Sequence, residues 1–441
     1  TEPELHLRSV TLTAKDKICL CEARECTPEA CPYANGYYAR IKVSLWDVLD
    51  VPCLTAETLQ EYAERHTVCP FELGLDSSLW SDVIIGDYNY LFDPVVHLVR
   101  FFESAGDYIF LVDEAHNLPG RAREMHSAAL TKTSFYEAKK LLGKGKSSLK
   151  NALTKVNDVF IEWRHRAEEE TAARDGRFGK TFFLKERSEE FDHLLNRLCE
   201  PLEAWLDDHR EPDETHTALL QLYFDVRAWL RVADTFDDHF VLQITASGSE
   251  VRAAQLCLDP SAFLADSFAL GRAAVLFSAT LAPASYYKDL CGVPEARAVA
   301  LRSPFPAGNQ GLFCIGNVST RYKDRDASLA IVTESLATMV RARCGNYLAF
   351  FPSYAYMEQA YAQFKEHCPE INCIKQENAM DEQQKAAFLA QFVPGPSQTL
   401  LGFAVMGGVF GEGVDLTGDR LIGVGIVGPG LPQVGPRQER L

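Results

Sequence analysis

Three short stretches of this chain carry residue types that could do chemistry. YIFLVDEAH, residues 108 to 116, is an apolar run closed by two adjacent carboxylates, Asp113 and Glu114, with His116 just beyond. LFSATLAP, residues 276 to 283, is a second apolar run, closed by Ser278 and Thr280. FAVMGGVFGEGVDLTGD, residues 403 to 419, puts four glycines (Gly407, Gly408, Gly411, Gly413) into seven residues, with Glu412 and Asp415 interleaved. Paired acids at the end of a buried strand can hold Mg²⁺ and orient an attacking water. Hydroxyls at a strand end can bond such acids, or simply begin a turn. Glycines let a backbone approach a ligand closely. Taken singly, each stretch is equally well an ordinary strand end, turn or loop.

A fourth group is thiol chemistry. Cys19, Cys21, Cys26 and Cys31 crowd KICLCEARECTPEACPY (17 to 33), Cys53 and Cys69 follow, and six of the thirteen cysteines precede residue 70. Four thiolates can hold either zinc or an iron–sulfur cluster, and the spacing, CxC followed by two Cx₄C steps, leaves both open. The seven remaining cysteines are scattered and read as small buried hydrophobes. A disulfide framework does not suit a chain of this size in a reducing compartment.

Elements must position these residues. At 441 residues and 47% hydrophobic content the chain can bury two or three cores. No apolar run approaches the roughly 20 residues needed to span a bilayer. The opening TEPELHLRSV lacks a signal sequence, so the chain reads as cytoplasmic. A net charge of −17 excludes a surface that coats nucleic acid generally, though not a local basic groove. From Trp80, short apolar runs alternate with turns, as in SDVIIGDYNYLFDP and GDYIFLVDEAHNLPG, the pattern of parallel strands in an α/β sheet. Residues 125 to 238 show only charged amphipathic periodicity, which predicts an all-helical insertion. Strand-like runs return in FVLQITAS and AAVLFSATL, and again, past a Pro/Gly/Asn-rich boundary at 303 to 310, in GLFCIGNV, NYLAFFPSY, TLLGFAVM and RLIGVGIVG.

Two further stretches imitate known sites. GKGKSS (143 to 148) offers the end of a phosphate loop, but Lys140 stands where its first glycine is required, and a helical stretch precedes it. GVGIVG (423 to 428) matches GxGxxG, but its glycines fall inside a strand run and no helix follows. Neither is accepted.

DEAH, then SAT, then a glycine-rich GEGVD loop in a second α/β series resembles motifs II, III and V of superfamily 2 helicases. A cysteine-rich stretch before DEAH and a helical stretch after it narrow the resemblance to iron–sulfur helicases of the XPD and DinG type. LTAKDKIC, CPFELG (69 to 74), DYNYLFDP (87 to 94) and YLAFFPSYAYMEQ (347 to 359) match as well. The resemblance implies an α/β fold of two RecA-like P-loop-type domains. The first would comprise residues 1–14, 80–124 and 239–302, interrupted by a cluster domain (15–79) and a helical arch (125–238), and the second would comprise 303–441.

What the resemblance implies for function is an ATP-dependent DNA helicase of repair or replication. ATP hydrolysis would move single-stranded DNA 5′ to 3′ past a [4Fe–4S] wedge. Asp113 would hold Mg²⁺, Glu114 would activate water and His116 would link the nucleotide to motif III. Ser278 and Thr280 would couple the domains, and Glu412, Gly413 and Asp415 would face nucleotide and DNA. Tyr88, Tyr90, Ser353 and Tyr354 are candidates for stacking or contacting DNA. KDKIC, ACPY and VCPFEL resemble the stretches around three of the family's cluster ligands, which implies Cys19, Cys31 and Cys69, with Cys26 the best match for the remaining one and Cys21 a spare thiol.

No other GxxxxGK[ST] occurs, and the chain ends at QVGPRQERL, ahead of an arginine-bearing motif VI. It therefore reads as a large internal portion of a monomeric helicase acting on single-stranded and forked DNA, inactive as an ATPase in isolation. The rival expectation is a non-catalytic DNA- or partner-binding module that keeps the fold; the reading frame on either side discriminates the two.

Overall fold

Short apolar runs become strands along most of this chain, and which runs find a partner decides the architecture. The computed structural model describes residues 6–145, 147–172, 180–211 and 213–430. The chain divides into two units, one ending at Val299 and the other starting at Ala300, against the boundary at 302/303 expected from sequence. Lys146 and the terminal QVGPRQERL lie outside the described residues.

The first unit contains strands β1 (Ser9–Thr11), β2 (Cys53–Leu54), β3 (Val83–Ile85), β4 (Ile109–Val112), β5 (Ala128–Thr131), β6 (Lys180–Leu184), β7 (Phe240–Ser247), β8 (Glu250–Cys257) and β9 (Ala273–Leu276). β1 lies between β2 and β3, both parallel to it, with Val10 opposite Leu54 and Ile84. β4 and β9 are parallel, with Val112 opposite Leu276. Among the described residues these are two separate small sheets, where the apolar runs had predicted one. Ile109 and Leu111 face outward on β4, because a uniformly apolar run does not say which of its faces is covered.

The cysteine-rich stretch folds against β1 to β3. Helices Tyr37–Val48, Ala56–His66 and Pro70–Ser77 pack Ile41, Leu59 and Leu73 into one core with Val10, Ile18 and Leu54. Thr55 caps the middle helix by accepting the Thr58 N–H, and Pro70 opens the last one at a position where the missing N–H costs nothing.

Residues 125 to 238 are not all helical. β5, β8, β7 and β6, in that order, make an antiparallel sheet, with Ala129 opposite Ala254 and Phe182 opposite Ile244. Thus β5 and β6 lie inside the stretch expected to be helical, and the β7–β8 hairpin, expected to belong to the first RecA-like domain, is the middle of the same sheet. β5 and β6 span four and five residues, too few for a period-two signal to stand out between long helices. Against this sheet pack helices Lys132–Leu141, Ser148–Ala172, Glu189–Asp208 and Glu214–Thr235, burying Phe135, Phe160, Phe191, Leu195 and Trp229. Phe191, Leu195, Leu198 and Leu202 recur at helical spacing on the buried face, and Ser188 caps that helix ahead of Glu189 and Glu190.

The second unit is built on a parallel sheet of β10 (Asn346–Phe351), β11 (Asn372–Lys375), β12 (Leu400–Val405) and β13 (Gly423–Ile426), ordered β11-β12-β10-β13. Helices Arg325–Ala342 and Tyr354–His367 cover it with Val332, Leu336, Met357 and Phe364. GLFCIGNV, expected as a strand, is not one: Leu312 and Phe313 are 87% and 90% exposed. Apolar residues make a strand only where an edge is within reach to pair with, and here none is found among the described residues.

Candidate functional site

The two strand ends that carry DEAH and SAT continue to pair beyond their ladders. Phe277 donates its N–H to the Val112 carbonyl at 3.0 Å, and Ala115 donates to the Phe277 carbonyl at 3.1 Å. Asp113, Glu114, His116 and Ser278 are thereby delivered to one carboxyl-end edge, where open parallel sheets place their ligands. Their side chains form a compact polar group. His116 Nδ1 lies 2.8 Å from Ser278 Oγ and 3.3 Å from Glu114 Oε2, and the Ser278 hydroxyl lies 3.3 Å from the same Glu114 oxygen. Asp113 Oδ1 accepts the Glu114 N–H at 2.7 Å. Thr280 is exposed and joins only through its N–H, 3.3 Å from Ser278 Oγ.

Glu114 has φ of +45°, left-handed backbone that a residue with a β-carbon adopts at a cost of about 1–2 kcal/mol. What holds it there is visible. The Tyr88 hydroxyl shares its one proton between the Asp113 and Glu114 carbonyls, both within hydrogen-bond reach, and Ala115 and Leu118 are fully buried just after. Burial, reinforced by the Asp113 and Glu114 carboxylates, pushes the Tyr88 phenol up to about 12. Tyr88, expected from sequence to meet DNA, is in this structure a brace beneath the acids, packed edge-on against Phe92. Tyr90 is half-buried against the core of the cysteine-rich helices. The Glu114 carboxylate itself keeps half its surface in solvent.

The second unit gathers its own carboxyl-end edge. Ser353 and Tyr354 follow β10, Gln376 follows β11, and the glycine-rich loop follows β12. Gln376, 1% exposed, accepts the Val405 N–H at 3.0 Å and donates to the Tyr354 hydroxyl at 2.7 Å, so a single side chain ties three strand ends together. Ser353 caps the following helix by accepting the Tyr356 N–H and also accepts from Arg325 at 3.2 Å. The Arg325 guanidinium lies over the rings of both Tyr322 and Tyr356. Phe410 anchors the loop by stacking on Phe388 at 4.4 Å, and Glu412, Gly413 (φ +70°) and Asp415 stand exposed on it. Gln376 and Arg325 were not anticipated. A polar residue directly after NCIK was the one signal for Gln376, and nothing local marked Arg325.

For the thiols, the donor type suits a thiolate-held metal or cluster but the gathering does not. Among the described residues no group of three or more His, Cys, Asp or Glu is placed to hold a metal ion, so Cys19, Cys26, Cys31 and Cys69 are not brought together. Cys21 Sγ lies 3.9 Å from Cys31 Sγ, whereas Cys26 is exposed. A turn in which Cys31 donates its N–H to the Thr27 carbonyl and Ala30 donates to the Thr27 hydroxyl folds Cys31 back onto the CxC pair. Burial, then the Cys31 and Cys19 thiols, push Cys21 up to about 11. Burial also holds the Cys69 thiol above its usual range, although the Glu72 and Phe71 N–H groups point at it. Cys21, read as spare, is thus a closer neighbour of the other thiols than Cys26. After anaerobic reconstitution with iron and sulfide, Cys21→Ser is expected to lower bound iron more than Cys26→Ser; the opposite order would restore Cys26.

Residues 5–135 match the family model DEAD_2, and residues 336–440 match that of the helicase C-terminal domain. The ATP-dependent DNA helicase CHL1 of Coccidioides immitis is 21% identical over 461 residues, covering 91% of this chain and 52% of that protein. The XPD helicase subunit of general transcription and DNA repair factor IIH from Schizosaccharomyces pombe is 23% identical, covering 79% and 52%. The chain spans about half the length of the curated relatives it matches. A solved XPD helicase structure superposes with a TM-score of 0.55 at 17% identity, over 99% of this chain and 74% of that one, a likeness of fold.

Proposed function

Since the chain belongs to the XPD/DinG type of superfamily 2 helicases, we propose that it is a portion of an ATP-dependent DNA helicase whose first unit carries the hydrolytic acids. The observation that supports this most is the Glu114–His116–Ser278 group, assembled from two strand ends more than 160 residues apart in sequence. Asp113 is the Mg²⁺ ligand in this reading. Glu114 accepts a proton from the attacking water. His116 and Ser278 hold the Glu114 side chain from one flank and leave the other toward solvent. Both units are read as RecA-like, with Glu412, Gly413 and Asp415 as the second unit's contribution to nucleotide and DNA contact. Tyr90 and Tyr354 are kept as DNA contacts, Tyr88 and Ser353 as supports of the elements around them.

A [4Fe–4S] cluster is the cofactor the family resemblance implies for the cysteine-rich stretch. With the thiols ungathered, no step of the reaction is drawn through it. The activity is tested with the intact protein on forked DNA. ATP- and Mg²⁺-dependent unwinding of a 5′-tailed duplex, with a 3′-tailed duplex left intact, is the expected result. Strand separation without ATP, or on the 3′-tailed substrate alone, would refute the reading.

A further inference from the structure

GKGKSS, rejected as a phosphate loop, sits in a longer basic tract that the hydrolytic site does not use. Residues 132–155 hold seven lysines and a single acid, Glu137, in a chain whose net charge is −17. The tract forms a corner: helix Lys132–Leu141, a turn, and the long helix from Ser148. The turn depends on Gly143 (φ +72°) and Gly145 (φ +133°), both facing open space. The Lys150 ammonium closes it by donating to the Gly143 and Gly145 carbonyls.

Packing decides where the charge goes. Phe135, Ala138, Leu149 and Leu153 turn inward to the core, which leaves Lys140, Lys144 and Lys155 exposed and Lys139 half-exposed. None of Lys139, Lys140, Lys144, Lys150 and Lys155 has a carboxylate partner among the described residues, whereas Lys15 and Lys180 each have one and Lys375 has two. Tyr136 stands 57% exposed one helical turn before Lys139 and Lys140. Unpaired like charges on one corner repel one another, and a polyanion relieves that repulsion by releasing its own counterions. An exposed phenol ring amid ammonium groups adds a face on which a base can stack.

We propose that this helix–turn–helix corner is a contact surface for single-stranded DNA, with the lysines on phosphates and Tyr136 against a base. It rests on the helicase reading only for the identity of the polyanion. It requires no nucleotide and no hydrolysis.

The test is equilibrium binding of the 441-residue chain to a fluorescein-labelled 30-nucleotide oligothymidylate without ATP, read by anisotropy from 50 to 200 mM salt. For K139Q/K140Q/K144Q the slope of log affinity against log salt is expected to fall by about 2, at roughly 0.7 for each single-strand phosphate that a lysine no longer neutralises. Affinity at 50 mM salt should fall at least about tenfold, and K139R/K140R/K144R should keep the parent slope. Y136L is expected to weaken binding with the slope unchanged. Parent-like binding by the glutamine variant at every salt concentration overturns the proposal. So does a variant that loses binding to an acidic peptide while retaining binding to DNA. Neither result would bear on Glu114, so failure here is distinguishable from failure of the helicase reading.

Discussion

Glu114→Gln in the intact protein is expected to cut DNA-stimulated ATP hydrolysis by about 10²- to 10⁴-fold, the span that a positioned general base contributes. Glutamine keeps the size of the side chain and an oxygen able to accept from Ser278, so the His116–Ser278 contact at 2.8 Å should survive. What disappears is the negative charge and the basicity. Binding of a nonhydrolysable ATP analogue should change little, which separates loss of the base from loss of the site. Ser278→Ala should cost less, because the hydroxyl holds the carboxylate rather than touching the water. Phosphate release measured under saturating DNA decides the matter. Hydrolysis at the parent rate in the glutamine variant would reduce Glu114 to an ordinary strand-end acid.

Trp229→Ala is expected to destabilise the domain of β5 to β8 and its helices by about 3–5 kcal/mol, the cost of deleting a large buried aromatic. Trp229 is fully buried, meets Phe191 edge-on at 5.4 Å and donates its indole N–H to Asp192 at 2.8 Å. Asp192 itself carries a pH signature. Burial raises its carboxyl above the ordinary range, although the Trp229 hydrogen bond and Arg187 pull the other way. A raised folded-state value means that the protonated form is preferred in the folded domain. Its contribution is fully present below the unfolded value near 3.9 and is lost as pH rises through the folded one. Asp192→Asn, which cannot ionise, should therefore gain stability relative to the parent as pH rises above the unfolded carboxyl value. Urea unfolding followed by tryptophan fluorescence reads both effects, since Trp163, Trp205 and Trp229 lie in this domain while Trp46 and Trp80 are already exposed. A difference between Asp192→Asn and parent that stays flat with pH would show that burial does not raise the carboxyl above its unfolded value.

The position of the candidate residues was legible in the sequence because DEAH, SAT and GEGVD are local patterns at the ends of local apolar runs. Strands end where polar residues begin, so Asp113, Glu114, Ser278 and Gly413 could be placed at strand ends or on loops without any knowledge of pairing. Long helices such as Ser148–Ala172 and Glu189–Asp208 were legible for the same reason, since their periodicity repeats over many turns. Everything that depended on partners at long range was decided by the tertiary structure. β7 and β8 look in sequence like the strands around them, yet they pair with β5 and β6 rather than with the parallel strands. GLFCIGNV is as apolar as NYLAFFPSY and, among the described residues, finds no partner. Tyr88 reads as a free aromatic until the fold sets its hydroxyl beneath Asp113 and Glu114, and Cys21 reads as spare until the Thr27 turn brings Cys31 to it. Residue types state what a side chain is able to do. Only packing and hydrogen bonding between distant segments determine whether it is left free to do it.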